Sequence, residues 1–302
     1  VPPVQVGVVE WLTDFTVAGV ADNGTVIGDR VGPDLAEGSR AAIWRSGAAA
    51  PEDLSTADWS TGIAISPGAQ YSVLLEGDGP LDPQAVLVGP GGERRALPDV
   101  VPFGVTDLGY VAGATSSGDP AVVDPSGTVE PLPLPPGYSS GWATAISNGG
   151  WVTAVLYPDG AAPVLTARYR LGQPGLATVE GFAADGVGDD GVVALGTGRW
   201  YTDGRTEALL GFPGDGSFWA GAVSRLGDVA GTSAPPGAPV GAFRPVVWPA
   251  GSIEPLALGP TACWLTVRAV SASWAVGGGV PGSATTSCSP PTGAASWRVR
   301  IR

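Results

Sequence analysis

The residues in this sequence best suited to chemistry are aromatics set among small and acidic neighbours. Trp59 follows Asp58 in ADWST, Trp142 stands in SSGWAT and Trp219 in GSFWAG. Phe103, Phe182 and Trp264 hold comparable places in other segments, and Phe15 does so near the start. Aromatic faces stack on the flat or C–H-rich surfaces of sugars and small organic molecules, while nearby carboxylates take hydroxyls. Two charged residues, Asp185 and Arg268, accompany the aromatics, and a carboxylate such as Asp185 can also move a proton. These residue types point to two functions. One is a module that binds a small organic or carbohydrate ligand. The other is a metal-independent, histidine-independent cyclase or lyase acting on an apolar, natural-product-like substrate, with Asp185 as acid or base.

Much other chemistry is excluded. The chain has no histidine, which removes a Ser-His-Asp triad, histidine-ligated zinc and any imidazole base. The acidic, glycine-rich DGVGDDG (185–191) and GDGP (77–80) lack the alternating ligands and terminal Glu of an EF-hand loop, so no metal is expected. There is no GxSxG and no phosphate-cradling loop, and no cofactor is expected. All 15 basic residues are arginine, and 28 carboxylates leave a net charge of −13. Nucleic acid is therefore no partner, since binding a polyanion needs clustered cations. Arg298, Arg300 and Arg302 alternate with Val299 and Ile301 and read as the solvent face of a last strand. No apolar run is long enough to span a membrane as a helix.

The elements that must position these residues are strands. Gly (48) and Pro (30) are abundant while 44% of residues are hydrophobic, a balance that suits many short strands joined by turns. One cadence recurs seven times: GVADNGTVIG, IAISPGAQYSV, GVTDLGYVAG, WATAISNGGWV, GVGDDGVVAL, AVSRLGDVAG and AVSASWAVGG. Its β-branched anchors are Val20, Ile65, Val105, Ile146, Val187, Val223 and Val270, spaced by about forty residues, the size of a propeller blade. Small residues flank every anchor, as in Gly19-Val20-Ala21 and Ala145-Ile146-Ser147, which suits the crowded innermost strand of a blade. A hairpin turn, a second strand, a variable loop, an apolar third strand such as AAIW (41–44) or PVVW (245–248), and a last strand complete each unit. The seventh copy stops at its third strand, AASWRVRIR (294–302), and VGVVEWL (6–12) supplies the fourth. Residues 1–302 thus form one all-β domain, a seven-bladed β-propeller of four-stranded antiparallel blades, closed by pairing of its N-terminal and C-terminal strands.

The motif Ile/Val-Ser/Asn-x-x-Gly-x-Val-x-Gly followed by Ala-Phe/Ile-x-Trp resembles the bacterial extracellular HAF-type repeats over nearly the whole chain. The His-Ala-Phe triplet itself is missing, the nearest stretches being Ala41-Ala42-Ile43-Trp44 and Gly241-Ala242-Phe243. The resemblance implies a propeller and export, and says little of activity, because propellers host many functions.

Strand order places the loops before strand one and after strand two on one face and the tight turns on the other. The long, variable loops make the first of these the expected functional face. Cys263 and Cys288 both fall there, so a disulfide across 24 intervening residues is expected, worth roughly 3 kcal/mol by loop entropy and consistent with an extracellular protein whose signal peptide has been removed. Trp59, Phe103, Trp142, Phe182, Trp219 and Trp264 precede their anchors on this face, where they either gather over the axis or pack between blades. Asp185 occupies a strand-one register filled elsewhere by Ala18, Ile63, Phe103, Thr144, Gly221 and Arg268, so an Asp185–Arg268 pair across the pore is the matching expectation. A monomer is expected.

Overall fold

After each anchor the chain must reverse within a few residues, and in six of the seven repeats the fourth residue past the anchor does this in the left-handed region. Gly24 (φ 82), Gly109 (φ 81), Gly150 (φ 77), Gly191 (φ 82) and Gly227 (φ 83) hold that place, where lack of a Cβ removes the strain. In the second repeat the place falls to Ala69 (φ 56), which must bear it.

The computed structural model describes residues 3–31, 39–181, 186–237, 241–259, 262–263, 265–279 and 295–302. Its regular elements are strands, and no helix is present among the described residues. Blade one runs outward from the axis as Phe15–Val20, Val26–Arg30, Arg40–Trp44 and Glu52–Asp53, each antiparallel to the last. The inner strands of blades two, three, four and six are Trp59–Ile65, Val100–Val105, Tyr138–Ile146 and Ser217–Val223. Blade five has Val193–Ala194, Gly198–Trp200 and Thr206–Ala208, and its inner strand is marked by a bridge between Val187 and Val193. Blade seven joins Thr266–Val270, Trp274–Gly278 and Ala295–Arg300 to Val9–Thr13 from the other end of the chain.

The ring therefore closes as its sequence pattern requires. Trp11 pairs with Trp297 and Leu12 with Ser296, and the Gly7 N–H extends the ladder to the Arg300 carbonyl at 2.8 Å. The hydrophobic core is divided among the blade junctions rather than gathered in one place. Leu12, Phe15, Val17 and Trp44 meet Val276 between blades one and seven, for example, and Val73 and Leu87 meet Val105 and Val123 between two and three. Each blade is thus stabilised by its two neighbours, and only closure gives the end blades both.

Two expectations are corrected. Phe15 is fully buried, edge-on to Trp44 at 5.7 Å, and belongs to the core. Arg298 is buried as well: its guanidinium meets Glu10 at 2.6 Å and the Gly24 carbonyl at 3.2 Å, over the Trp274 ring. Arg302 is drawn onto the buried Asp228 of blade six at 2.6 Å. Arg300 alone of the three is exposed. Period-2 alternation puts these residues on one side of a strand, but in a propeller that side faces the next blade, where carbonyls and carboxylates wait.

Candidate functional site

The cavity on the propeller axis is shaped by one recurring irregularity. In all six inner strands described as strands, pairing with the second strand skips a residue two positions before the anchor. The extra residue of such a bulge is left out of the ladder and its side chain is re-aimed. The bulged residues are Ala18, Ile63, Phe103, Thr144, Gly221 and Arg268, the same register positions singled out in the sequence. The glycine that ends the repeat motif makes room for the displaced backbone. A Cβ on Gly28, Gly231 or Gly277 would fall 1.7, 1.9 or 1.7 Å from the carbonyl oxygen of Thr16, Trp219 or Thr266.

Five of these six residues, all but Gly221, line an axial cavity of about 790 Å³. Phe103 and Trp142 stack on its wall with ring centroids 6.1 Å apart and planes inclined by 21°. Tyr157 meets Trp142 edge-on at 5.8 Å. Both stacked rings keep open surface, 36% for Phe103 and 47% for Trp142. Arg268 lines the cavity from blade seven, which in a seven-membered ring stands opposite the junction of blades three and four. Its side chain is exposed and makes no hydrogen bond or ion pair with the described residues.

The other sequence candidates separate. Trp59 is half-buried and Trp219 is 62% exposed, and neither is among the residues lining the cavity. Asp58, beside Trp59, is exposed. Phe182, Asp185, Trp264 and Cys288 lie outside the described residues, and with them the Asp185–Arg268 pair and the disulfide. The backbone of Cys263 pairs with Ala242 at the edge of blade six.

At the opposite end of the cavity the sequence reading missed a polar ring. The second residue past each anchor is Asp22, Pro67, Asp107, Asn148, Asp189, Arg225 and Ala272 in turn. Turn N–H groups of one blade donate to this residue in the next. Asp22 N–H reaches the Pro67 carbonyl (2.8 Å), Gly68 N–H the Asp107 carboxylate (2.7 Å) and Asp107 N–H the Asn148 side chain (2.9 Å). Gly149 N–H meets the Asp189 carboxylate (3.0 Å), Asp189 N–H the Arg225 carbonyl (3.0 Å), and Ala272 N–H closes onto Asp22 (2.7 Å). Arg225 reaches from blade six to the Asp22 carboxylate of blade one, skipping blade seven, at 2.5 Å, which raises the guanidinium's affinity for its proton. Burial raises the pKa of Asp189, and the nearby Asp22 charge adds to this, while the Gly149 N–H and Arg225 oppose it. The turns ADNG, TDLG, SNGG, GDDG and SRLG carry the signal, a polar residue at one fixed place. Among the described residues no three carboxylate or cysteine side chains converge as a metal ion requires.

No protein-family model matches the chain, and no curated protein sequence is significantly similar to it. Solved structures do share its fold. A streptogramin B lyase superposes with a TM-score of 0.56 at 11% identity, over 98% of this chain and 98% of that one. A catalytically inactive histidine-to-alanine variant of virginiamycin B lyase from Staphylococcus aureus, solved with quinupristin, gives 0.54 at 9% identity, over 96% and 98%. A prolyl endopeptidase gives 0.56 at 10% identity over 91% of this chain, which spans only 46% of that enzyme. At such identities the likeness defines a class, the seven-bladed β-propellers, and no activity.

Proposed function

We propose that this protein is a secreted, monomeric propeller that binds a small organic or carbohydrate ligand in the axial cavity, against the stacked rings of Phe103 and Trp142. The observation that carries this reading is the bulge position. Anchors and their flanks are nearly uniform from repeat to repeat, whereas the bulged residues that line the cavity, Ala18, Ile63, Phe103, Thr144 and Arg268, differ from one another in size and chemistry. A pore that only held the ring together would need small residues there; this wall is individually furnished. Export is supported by the resemblance to extracellular repeats and by the cysteine pair.

A mechanism that depends on histidine is closed to this chain. The virginiamycin B lyase that shares the fold is inactive as a histidine-to-alanine variant, and this chain holds no such residue to use. One observation favours a second reading, a proton-transferring enzyme: the Asp189 carboxylate lines the same cavity with its pKa raised by burial.

Ligand-observed NMR against a metabolite and glycan mixture tests the site. Trp142→Ala and Phe103→Ala should each weaken the ligand found by about 1 kcal/mol or more with the melting temperature unchanged, because these rings are partly exposed. A ligand indifferent to both substitutions would place the site elsewhere. Asp189→Asn separates the readings, since an enzyme would lose roughly 10²-fold or more in turnover. Export predicts a Cys263–Cys288 bridge, and two thiols that alkylate in native protein without reductant would refute it.

A further inference from the structure

We infer that the ligand is a small anion carrying a flat ring, with the ring on Phe103 and Trp142 and the anionic group on Arg268. The inference rests on the axial-cavity reading and adds the ligand's chemical class. Its first support is the company that arginines keep in this molecule. The others each engage a carboxylate, a carbonyl or an aromatic face. Arg45 pairs with Glu52, Arg94 with Glu76, Arg205 with Glu207 and Arg244 with Asp215. Arg168 and Arg199 donate to backbone carbonyls of the following blade, and Arg170 lies over Trp151.

Arg268 is the arginine with no such partner among the described residues. It sits at a bulge, so the backbone irregularity that shapes the cavity also takes this residue out of the ladder and makes it part of the cavity wall. A guanidinium presents a planar fork of N–H donors that fits carboxylate, sulfonate or phosphate oxygens.

The second support is placement. Blade seven lies across the axis from blades three and four, so Arg268 and the aromatic pair line opposite sides of the cavity. A ligand meeting both must have a flat apolar part and an anionic part. The far end of the cavity carries Asp22 and Asp189, with Arg225 already held by Asp22, and repels an anion from that end. The charged part of the ligand is thereby directed to the Arg268 level.

The test uses matched probes on the intact protein: 2-naphthoate, its neutral isostere 2-naphthamide, and acetate as an anion without a ring. By calorimetry 2-naphthoate should bind roughly tenfold or more tighter than the amide, as one charge-assisted contact implies, and acetate should not bind measurably. Arg268→Gln should erase the preference for naphthoate and leave the amide's affinity intact, and Arg268→Lys should restore part of it. Raising the salt concentration should weaken naphthoate alone. Equal affinities for the two probes, or a preference that survives Arg268→Gln, would overturn the anionic class. If 2-naphthamide or a neutral sugar then binds and depends on Trp142 and Phe103, the axial site stands and only the class falls. Probe binding indifferent to Trp142→Ala and Phe103→Ala would overturn the axial reading as well.

Discussion

The arginines show how a residue's chemistry is decided by what lies across a blade junction. Arg168 is sandwiched between Trp200, 4.1 Å from its ring centre, and Trp151 at 5.5 Å, and donates to the carbonyls of Gly191 and Tyr201. Arg199 similarly meets the carbonyls of Trp248, Pro249 and Ser252. A flat guanidinium with several fixed donors can serve two or three carbonyls while stacking on an indole, which an ammonium cannot do, and the chain contains no lysine. The buried Asp228 joins the same economy of charge. Burial works to raise its pKa, but hydrogen bonds from Arg302, Ala250 N–H and Ser224 prevail and hold it below the usual carboxylate value. A carboxyl with a lowered folded pKa contributes stability that is full above its unfolded value, near 3.9, and is lost as pH falls through the folded one. Asp228→Asn should therefore cost about 3 kcal/mol at pH 7, as expected for one half of a buried pair. Urea titrations of both proteins from pH 7 to 3 should show that difference shrinking below about pH 4. A constant difference would mean that the pair's charge contributes nothing.

At the level of the strand and its turn, the repeat is a set of backbone solutions to one geometric problem. Five of the turns cited above use glycine in the left-handed region, and the second repeat uses Ala69 there at φ 56. Ala69→Gly removes that steric strain, and the variant should be more stable by about 1 kcal/mol in urea. A loss of stability would show that the greater freedom of glycine in the unfolded chain outweighs the relief. The bulge and the glycine facing it form a second such solution. Gly28, Gly231 and Gly277 leave space that a Cβ would fill, and the carbonyls of Thr16, Trp219 and Thr266 occupy it. The motif glycine was legible in the sequence as a turn-rich repeat feature. Its purpose was not, because the crowding carbonyl belongs to the neighbouring strand.

For the whole molecule, closure is the decisive event. Val9–Thr13 adds the outer strand of blade seven, and its Leu12 is buried in the junction between blades seven and one. Deleting residues 1–12 removes those apolar contacts, each worth about 1.5–3 kcal/mol when fully buried, and uncovers an edge strand. The melting temperature should fall by far more than ordinary terminal trimming causes, and an unchanged value would mean that the ring closes without this strand. The polar ring of Asp22, Asp107, Asn148 and Asp189 acts at the same scale, because each hydrogen bond ties one blade to the next around the axis.

The sequence by itself determined the number of blades, the order of their strands and the closure of the ring. These follow from local pattern: a β-branched anchor between small residues, a turn, and a period that recurs until the last copy lacks a strand and the first segment matches it. Tertiary structure decided which side chains meet. Aromatics precede the anchors in similar settings, yet among the described residues Phe103 and Trp142 are the two that stack in the cavity, while Trp59 and Trp219 do not line it. Arg298 and Arg300 alternate in one strand with like-looking neighbours, yet one is buried on Glu10 and the other is exposed. Periodicity records the side of a strand on which a residue stands. What occupies that side comes from another blade, tens to hundreds of residues away, and only the assembled ring brings it there.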